Sequence, residues 1–247
     1  MRKEAFVGPF VLIVLWQVVS TLGLINDFFL PSPWLVSNAM VQLFIQGGIV
    51  KDIGVTFLRL VVGFSIAAVI GVPVGLLMGA SRKVCDSLEF LVDFLRSIPG
   101  TALIPLFILF LGVGDEAKIA IGAFTAALVI IINSMYGVSH GSRIRRMAAL
   151  TMKVPPLRRF FQVILPDALP EVFVGLRLGL STCLVLIIVS EMFLGSKTGL
   201  GQRIYDAQLL YRIEEMYCCI ILTGVFGYLL NRLAVLSEHK IVHWAGR

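Results

Sequence analysis

Charge is scarce in this chain. Only 15% of its 247 residues are Asp, Glu, Lys or Arg, against about a quarter in an ordinary soluble domain. No segment is polar for long enough to fold as a separate soluble unit, so residues 1–247 read as one domain. Short segments of alternating apolar and polar residues are missing too, which argues against a β-barrel. There is no G-x-x-x-x-G-K-[ST] loop to cradle phosphates, so the chain is expected neither to bind nor to hydrolyse ATP. The stretch GSKTGLG at Gly195–Gly201 has a Lys-Thr pair but the wrong glycine spacing, and it reads as a turn. The four cysteines (Cys85, Cys183, Cys218, Cys219) form no C-x-x-C pair and read as small packing residues rather than a metal or redox site. The apolar stretch at the start is longer than a signal-peptide h-region of roughly 7–15 residues, and no A-x-A site follows it. It reads as a retained first span.

What is present is apolar length. The chain is 58% hydrophobic, with a mean hydropathy of +0.94. Runs of roughly 20 apolar residues can cross a bilayer core, and in lipid each span must satisfy its own backbone, which makes the chain all-α. Six spans are predicted, near Ala5–Leu24, Val55–Met78, Ile98–Val113, Ile119–Tyr136, Val172–Phe193 and Met216–Leu236. A net charge of +6 would suggest nucleic acid in a soluble protein. Here the basic residues gather between spans, where they set topology instead. Arg2 and Lys3, then Arg82, Lys83 and Arg96, then six basic residues after span four, then Lys240 and Arg247 fall on one side. The other side has Lys51, Lys118, Lys197, Arg203 and Arg212. Both termini are therefore expected in the cytoplasm.

The longest basic stretch is RIRRMAALTMKVPPLRRFFQVILPDALP, Arg143 to Pro170, with four prolines and a single carboxylate, Asp167. Leu157, Phe160, Phe161, Ile164 and Leu165 follow helical spacing, with Arg158, Arg159 and Gln162 opposite. Pro155 and Pro156 should stop the helix before them, and Pro166 and Pro170 the helix after. Two short helices joined by a bend are expected. They could lie on an anionic leaflet or dock a cytoplasmic partner.

At this stretch the chain resembles permease subunits of bacterial ABC importers. That family carries E-A-A, three residues, a glycine, then an I-x-x-L-P-like ending. The matching residues here are Ala148, Ala149, Ile164, Leu165 and Pro166, whereas Met147 replaces the glutamate and Lys153 the glycine. FFLPSPWLV at Phe28–Val36, the span-two region Thr56–Gly79, Leu95–Ile119, SEMFLGSKTGLGQRI at Ser190–Ile204 and the closing His243–Trp244 resemble the nitrate, sulfonate, taurine and bicarbonate subfamily. The resemblance implies the type I importer (MetI-like) permease fold. It also implies a cytoplasmic ATPase dimer that binds the ATP and Mg, a second permease subunit (a homodimer is expected), an extracytoplasmic solute-binding protein, and no cofactor or nucleic acid in this chain. The loop around 140–170 would be the coupling helix, with Arg146, Met147, Ala148, Ala149, Lys153, Ile164, Leu165 and Pro166 meeting the ATPase, and Arg146, Ala149 and Lys153 sharing one face.

Ionisable residues inside spans are functional candidates because lipid penalises them. Arg59 is expected to snorkel to the outer surface, with substrate attraction or a helix–helix bond also open. Arg177 can pair with Glu171 or Asp167, reach the interface, or touch an anion. Glu191 is expected to pair with Lys197, with a gating role open, and Asn133 to hydrogen-bond across helices. Gly63, Gly71, Gly75 and Gly79 share nearly one face of span two and should let another helix approach closely. An ion-coupled secondary transporter and a non-transporting membrane anchor are the competing readings.

Overall fold

A computed structural model describes residues 7–244. Arg2, Lys3, the start of the first span at Ala5, and Arg247 lie outside them. Among the described residues there are helices and connections and no strand. In chain order the helices are α1 (Val7–Thr21), α2 (Pro33–Ile45), α3 (Gly48–Ala80), α4 (Arg82–Ser97), α5 (Ile104–Leu111), α6 (Asp115–Ser139), α7 (Arg143–Thr151), α8 (Pro156–Arg159), α9 (Leu165–Phe193), α10 (Leu200–Leu209) and α11 (Ile213–Ile241). Four stretches are long and apolar enough to cross a membrane: α3, α6, the continuous Pro156–Phe193 helix and α11. The pair α4 and α5, bent by 90°, makes a fifth if it is one span, and α1 is apolar but shorter.

The core is a layer of α3, α6 and α9, with α11, α10 and α2 against one side and α4 and α5 against the other. Leu60 and Ala67 of α3, Ala126 and Ile130 of α6, and Cys183 and Ile187 of α9 are buried together. The glycine face of α3 behaves as its spacing suggests. A Cβ on Gly75 would lie 2.3 Å from the Ile131 carbonyl oxygen, and one on Gly79 2.7 Å from that of Met135. Backbone meets backbone there, as small-residue stripes allow. Pro73 lies inside α3 without ending it.

The spans α3, α6, α9 and α11 all extend beyond their predicted limits. Hydropathy marks only the apolar middle of a helix, whereas the backbone ladder runs on into polar residues. The predicted span Ile98–Val113 is a different object. Ile98, held extended by the following proline, ends α4 at φ −80, ψ 123. A tight turn over Gly100–Leu103 then leads into eight-residue α5. The helix α2, which the six predicted spans omit, starts with a cap that was readable: Ser32 accepts a hydrogen bond from Leu35 N and Pro33 takes the first position.

The expected stop at Pro166 and Pro170 does not occur. The chain widens over Phe160–Ile164, where Leu165 N bonds to Phe160 O five residues back. The widening shifts the hydrogen-bond register just before Pro166, and the helix continues through both prolines.

Candidate functional site

Polar groups gather at both ends of the bundle. At one end lies the α7–α9 loop. Ser142 caps α7, its hydroxyl accepting from Arg145 N at 3.4 Å. Asp167, in the first turn of α9, braces the same terminus: Oδ2 accepts from Ser142 N at 2.5 Å and Oδ1 from Arg145 Nη2. A carboxylate is stabilised at a helix N-terminus by the exposed N–H groups and the dipole. Sequence reasoning missed this role, although Asp167 is the single acid in the whole basic stretch.

The other end of α7 closes in a Schellman turn. Lys153 N bonds to Leu150 O at 2.9 Å and Val154 N to Ala149 O at 3.0 Å, with Lys153 at φ 52. A side chain in this left-handed backbone costs about 1 kcal/mol, which is why glycine favours it. The glycine of the resembling motif falls at this residue. The position is thus a turn before it is a contact. Tyr211, at φ 56, ends α10 in the same way, with Tyr211 N on Gln208 O and Arg212 N on Ala207 O.

The expected contact residues are together at this end, but they do not share one outward face. Ala149 is 5% exposed and turned inward. Arg146 is half-buried, and its Nε and Nη2 are shut off from solvent without a hydrogen-bond partner. Ile164 and Leu165 pack toward Leu76, Val138 and Val172. What faces out is Ile144 at 81%, Met147 at 54%, Leu150 at 56% and Met152 at 77% exposure, with Ala148 and Lys153 also exposed. Arg146, Ala149 and Lys153 do not form a common face, because α7 ends at Thr151 and the turn carries Lys153 off the wheel.

At the opposite end Arg59 is 4% exposed and does not snorkel. Its Nη1 donates to Glu191 Oε1 at 2.6 Å and to the Thr198 carbonyl at 3.0 Å. Its Nε and Nη2 donate to Asp115 Oδ1 at 3.1 and 2.7 Å. Glu191, fully buried, also accepts from Thr56 Oγ1 at 2.9 Å and Gly201 N at 2.9 Å. Its partner is therefore Arg59 rather than Lys197, because its side chain points at α3 and not along the loop. Thr56 Oγ1 in turn accepts from Leu200 N at 3.0 Å. Two glycines of GSKTGLG make room around this carboxylate: a Cβ on Gly199 would lie 2.6 Å from Glu191 Cδ, and one on Gly201 2.2 Å from Ile188 O and 2.8 Å from Glu191 Cβ.

Asp52 and Arg203 extend the network. Asp52 Oδ1 accepts from Gly199 N at 2.9 Å and Oδ2 from Arg203 Nη1 at 2.8 Å, while Arg203 Nε donates to Glu215 at 2.9 Å. Burial works against the Arg203 charge, but its hydrogen bonds to Asp52 and Glu215 outweigh that and hold its pKa above the ordinary value. Arg177 is elsewhere, 3.7 Å from Glu238 of α11 rather than beside Glu171 or Asp167. Asn133 donates to Val129 O of its own helix at 2.8 Å instead of bonding across helices.

A three-helix apolar layer, with a braced loop at one end and a buried ionic lock at the other, defines a polytopic helical membrane protein. The chain belongs to the family described as binding-protein-dependent transport system inner membrane component, which matches residues 71–243. It is similar to the nitrate import permease protein NrtB of Synechocystis sp., 32% identical over 241 residues, covering 94% of this chain and 86% of that one. It is also similar to the taurine transport system permease protein TauC of Escherichia coli, 26% identical over 241 residues, covering 96% and 87%. A chain from inward-facing structures of the MetNI methionine ABC transporter shares the fold, with a TM-score of 0.70 at 23% identity over 82% of this chain and 98% of that one.

Proposed function

We propose that this chain is the membrane permease of an ATP-driven importer for a small anion of the nitrate, sulfonate, taurine or bicarbonate kind, and that α7 is its docking point for a cytoplasmic ATPase. The anion class rests on relatives named for nitrate and taurine. In this reading two copies of the chain form the path, two ATPase subunits hold the ATP and Mg, and a binding protein delivers solute on the α10 side. The chain itself holds no cofactor, and its termini lie with α7 in the cytoplasm.

The observation that carries the docking assignment is the exposed apolar face of α7, Ile144, Met147 and Leu150, with Met152 just past its end. Ala149 seats α7 on the bundle, and the large apolar side chains on its other side are covered by no described part of the chain. Arg59 and Glu191 answer each other's charge, which favours a structural lock over anion capture at that site.

The test is recovery of the ATPase with the affinity-purified chain. Ile144→Glu and Met147→Glu each put a charge into the proposed contact and should reduce recovery about tenfold or more, while membrane insertion stays normal. Wild-type recovery with both variants would move the docking surface off α7. Uptake of labelled nitrate, taurine and bicarbonate by the assembled transporter tests the solute class.

A further inference from the structure

Pro166 and Pro170 are four residues apart in α9. In a regular helix the carbonyl of residue 166 accepts from the N–H of residue 170. Proline has no N–H, so that ladder partner is missing. The carbonyl sits where the α7–α9 loop joins the spanning helix, one residue before Asp167. Trp244, beyond the end of α11, supplies a donor: its indole Nε1 donates to Pro166 O at 3.3 Å. The tail is anchored for this. Val242 is 6% exposed, and its N–H bonds back to Glu238 O at 2.8 Å. The indole also lines a cleft of about 660 Å³ with Ala148, Ala149 and Met152 of the α7 segment.

We propose that Trp244 is a positioning residue of the transport cycle. By replacing the bond that Pro170 cannot make, it fixes the root of the α7–α9 loop. A push on α7 is then delivered to α9 instead of being absorbed by slack at Pro166. The inference rests on α7 being the ATPase dock, but the bond it concerns lies within this chain. Pro166 and Pro170 leave the first turn of this continuous helix one ladder bond short, and Trp244 supplies it.

The experiment follows from the chemistry of the missing N–H. Trp244→Phe keeps an aromatic ring and deletes the donor. Pro170→Ala gives residue 170 its own N–H and makes the indole redundant. Amide hydrogen exchange is followed at residues 143–170 in the purified chain. In the permease–ATPase complex it is also followed at Gly199–Gly201, before and after trapping with ATP and vanadate. In Trp244→Phe, exchange at the loop should rise about fivefold, corresponding to the loss of one modest hydrogen bond. The response of Gly199–Gly201 to trapping should fall by a similar factor while ATPase recovery stays at the wild-type level. Adding Pro170→Ala to Trp244→Phe should restore both. Unchanged exchange in Trp244→Phe, or no rescue by Pro170→Ala, overturns the proposal and leaves Trp244 as an interfacial anchor. Failure of the wild-type chain to recover an ATPase would count against the docking assignment instead, and the loop exchange of the chain alone would still decide the Pro166 bond.

Discussion

The two ends of α9 solve opposite problems with similar residues. At the Glu191 end, charges are buried and fully answered: one carboxylate receives Arg59, Thr56 and Gly201. At the Asp167 end the carboxylate is itself mostly covered, but its partner Arg145 is largely exposed, and the neighbouring apolar side chains are left open. A buried, satisfied network holds helices in one arrangement. A braced helix whose outward apolar side chains are uncovered is suited to receiving another molecule. The contrast also separates stability from interaction, and five substitutions test that separation.

The largest effect is expected from Glu191→Ala. It leaves Arg59 buried with one of its two carboxylate partners gone, and breaking a buried ion pair costs about 3–5 kcal/mol. The chain should fail to accumulate in the membrane, or should lose much of its thermal stability in detergent. A midpoint within a degree or two of wild type would mean that the network is not what ties α3, α9 and the Gly195–Gly199 turn together. Asp167→Asn comes next. It weakens the brace on the α7 N-terminus by about 1–2 kcal/mol. Proteolysis and hydrogen exchange within α7 should increase and ATPase recovery should fall, while the thermal midpoint of the bundle moves little. A loss of stability as great as that of Glu191→Ala would erase the distinction between the ends.

Ala149→Glu is the third, and it now has a different meaning from a surface change. Ala149 is buried, so the substitution should dislodge α7 from the bundle and reduce ATPase recovery indirectly, with a local rise in exchange that Met147→Glu does not cause. Equal, undisturbed exchange in the two variants would place Ala149 on the surface. The smallest effects belong to the matched pair Lys153→Gly and Tyr211→Gly. Each relieves a left-handed backbone position and should stabilise its turn by about 0.5–1 kcal/mol. The first should be seen as slower exchange at the α7 end and the second at the α10 end. Destabilisation by either would show that the replaced side chain makes a contact worth more than the strain.

The legible part of this molecule was whatever hydrophobicity or backbone chemistry controls directly. The long spans follow from apolar length, and the close approach of another helix to α3 from glycine spacing. The loop's place in the chain followed from the basic stretch and the resemblance. What could not be read was direction. Arg59 and Glu191 are 132 positions apart, and only the packing of α3 on α9 shows that they meet. A wheel drawn over Arg146–Lys153 assumed a helix that in fact stops at Thr151, so it assigned Lys153 to a face it does not share. The prolines misled for a related reason. A proline forbids one hydrogen bond, but a widened turn before it and a donor from another element can keep the helix intact. Neither of those is visible in a local window. Part of the missing information was present in the lone acid at Asp167 and in the Ser32-Pro33 cap, and it could have been used.

The continuity of α9 also has a mechanical meaning. Its 29 residues make a rod of about 44 Å, with Asp167 in the first turn and Glu191 in the last. A tilt of about 5° about one end of such a rod displaces the other end by about 4 Å, well beyond the tolerance of a hydrogen bond. The partners of Glu191 on α3 and α10 cannot follow such a swing while staying fixed. They must travel with α9 as a block or let go together, so a small rotation imposed at the loop becomes an all-or-none event at the far end of the bundle.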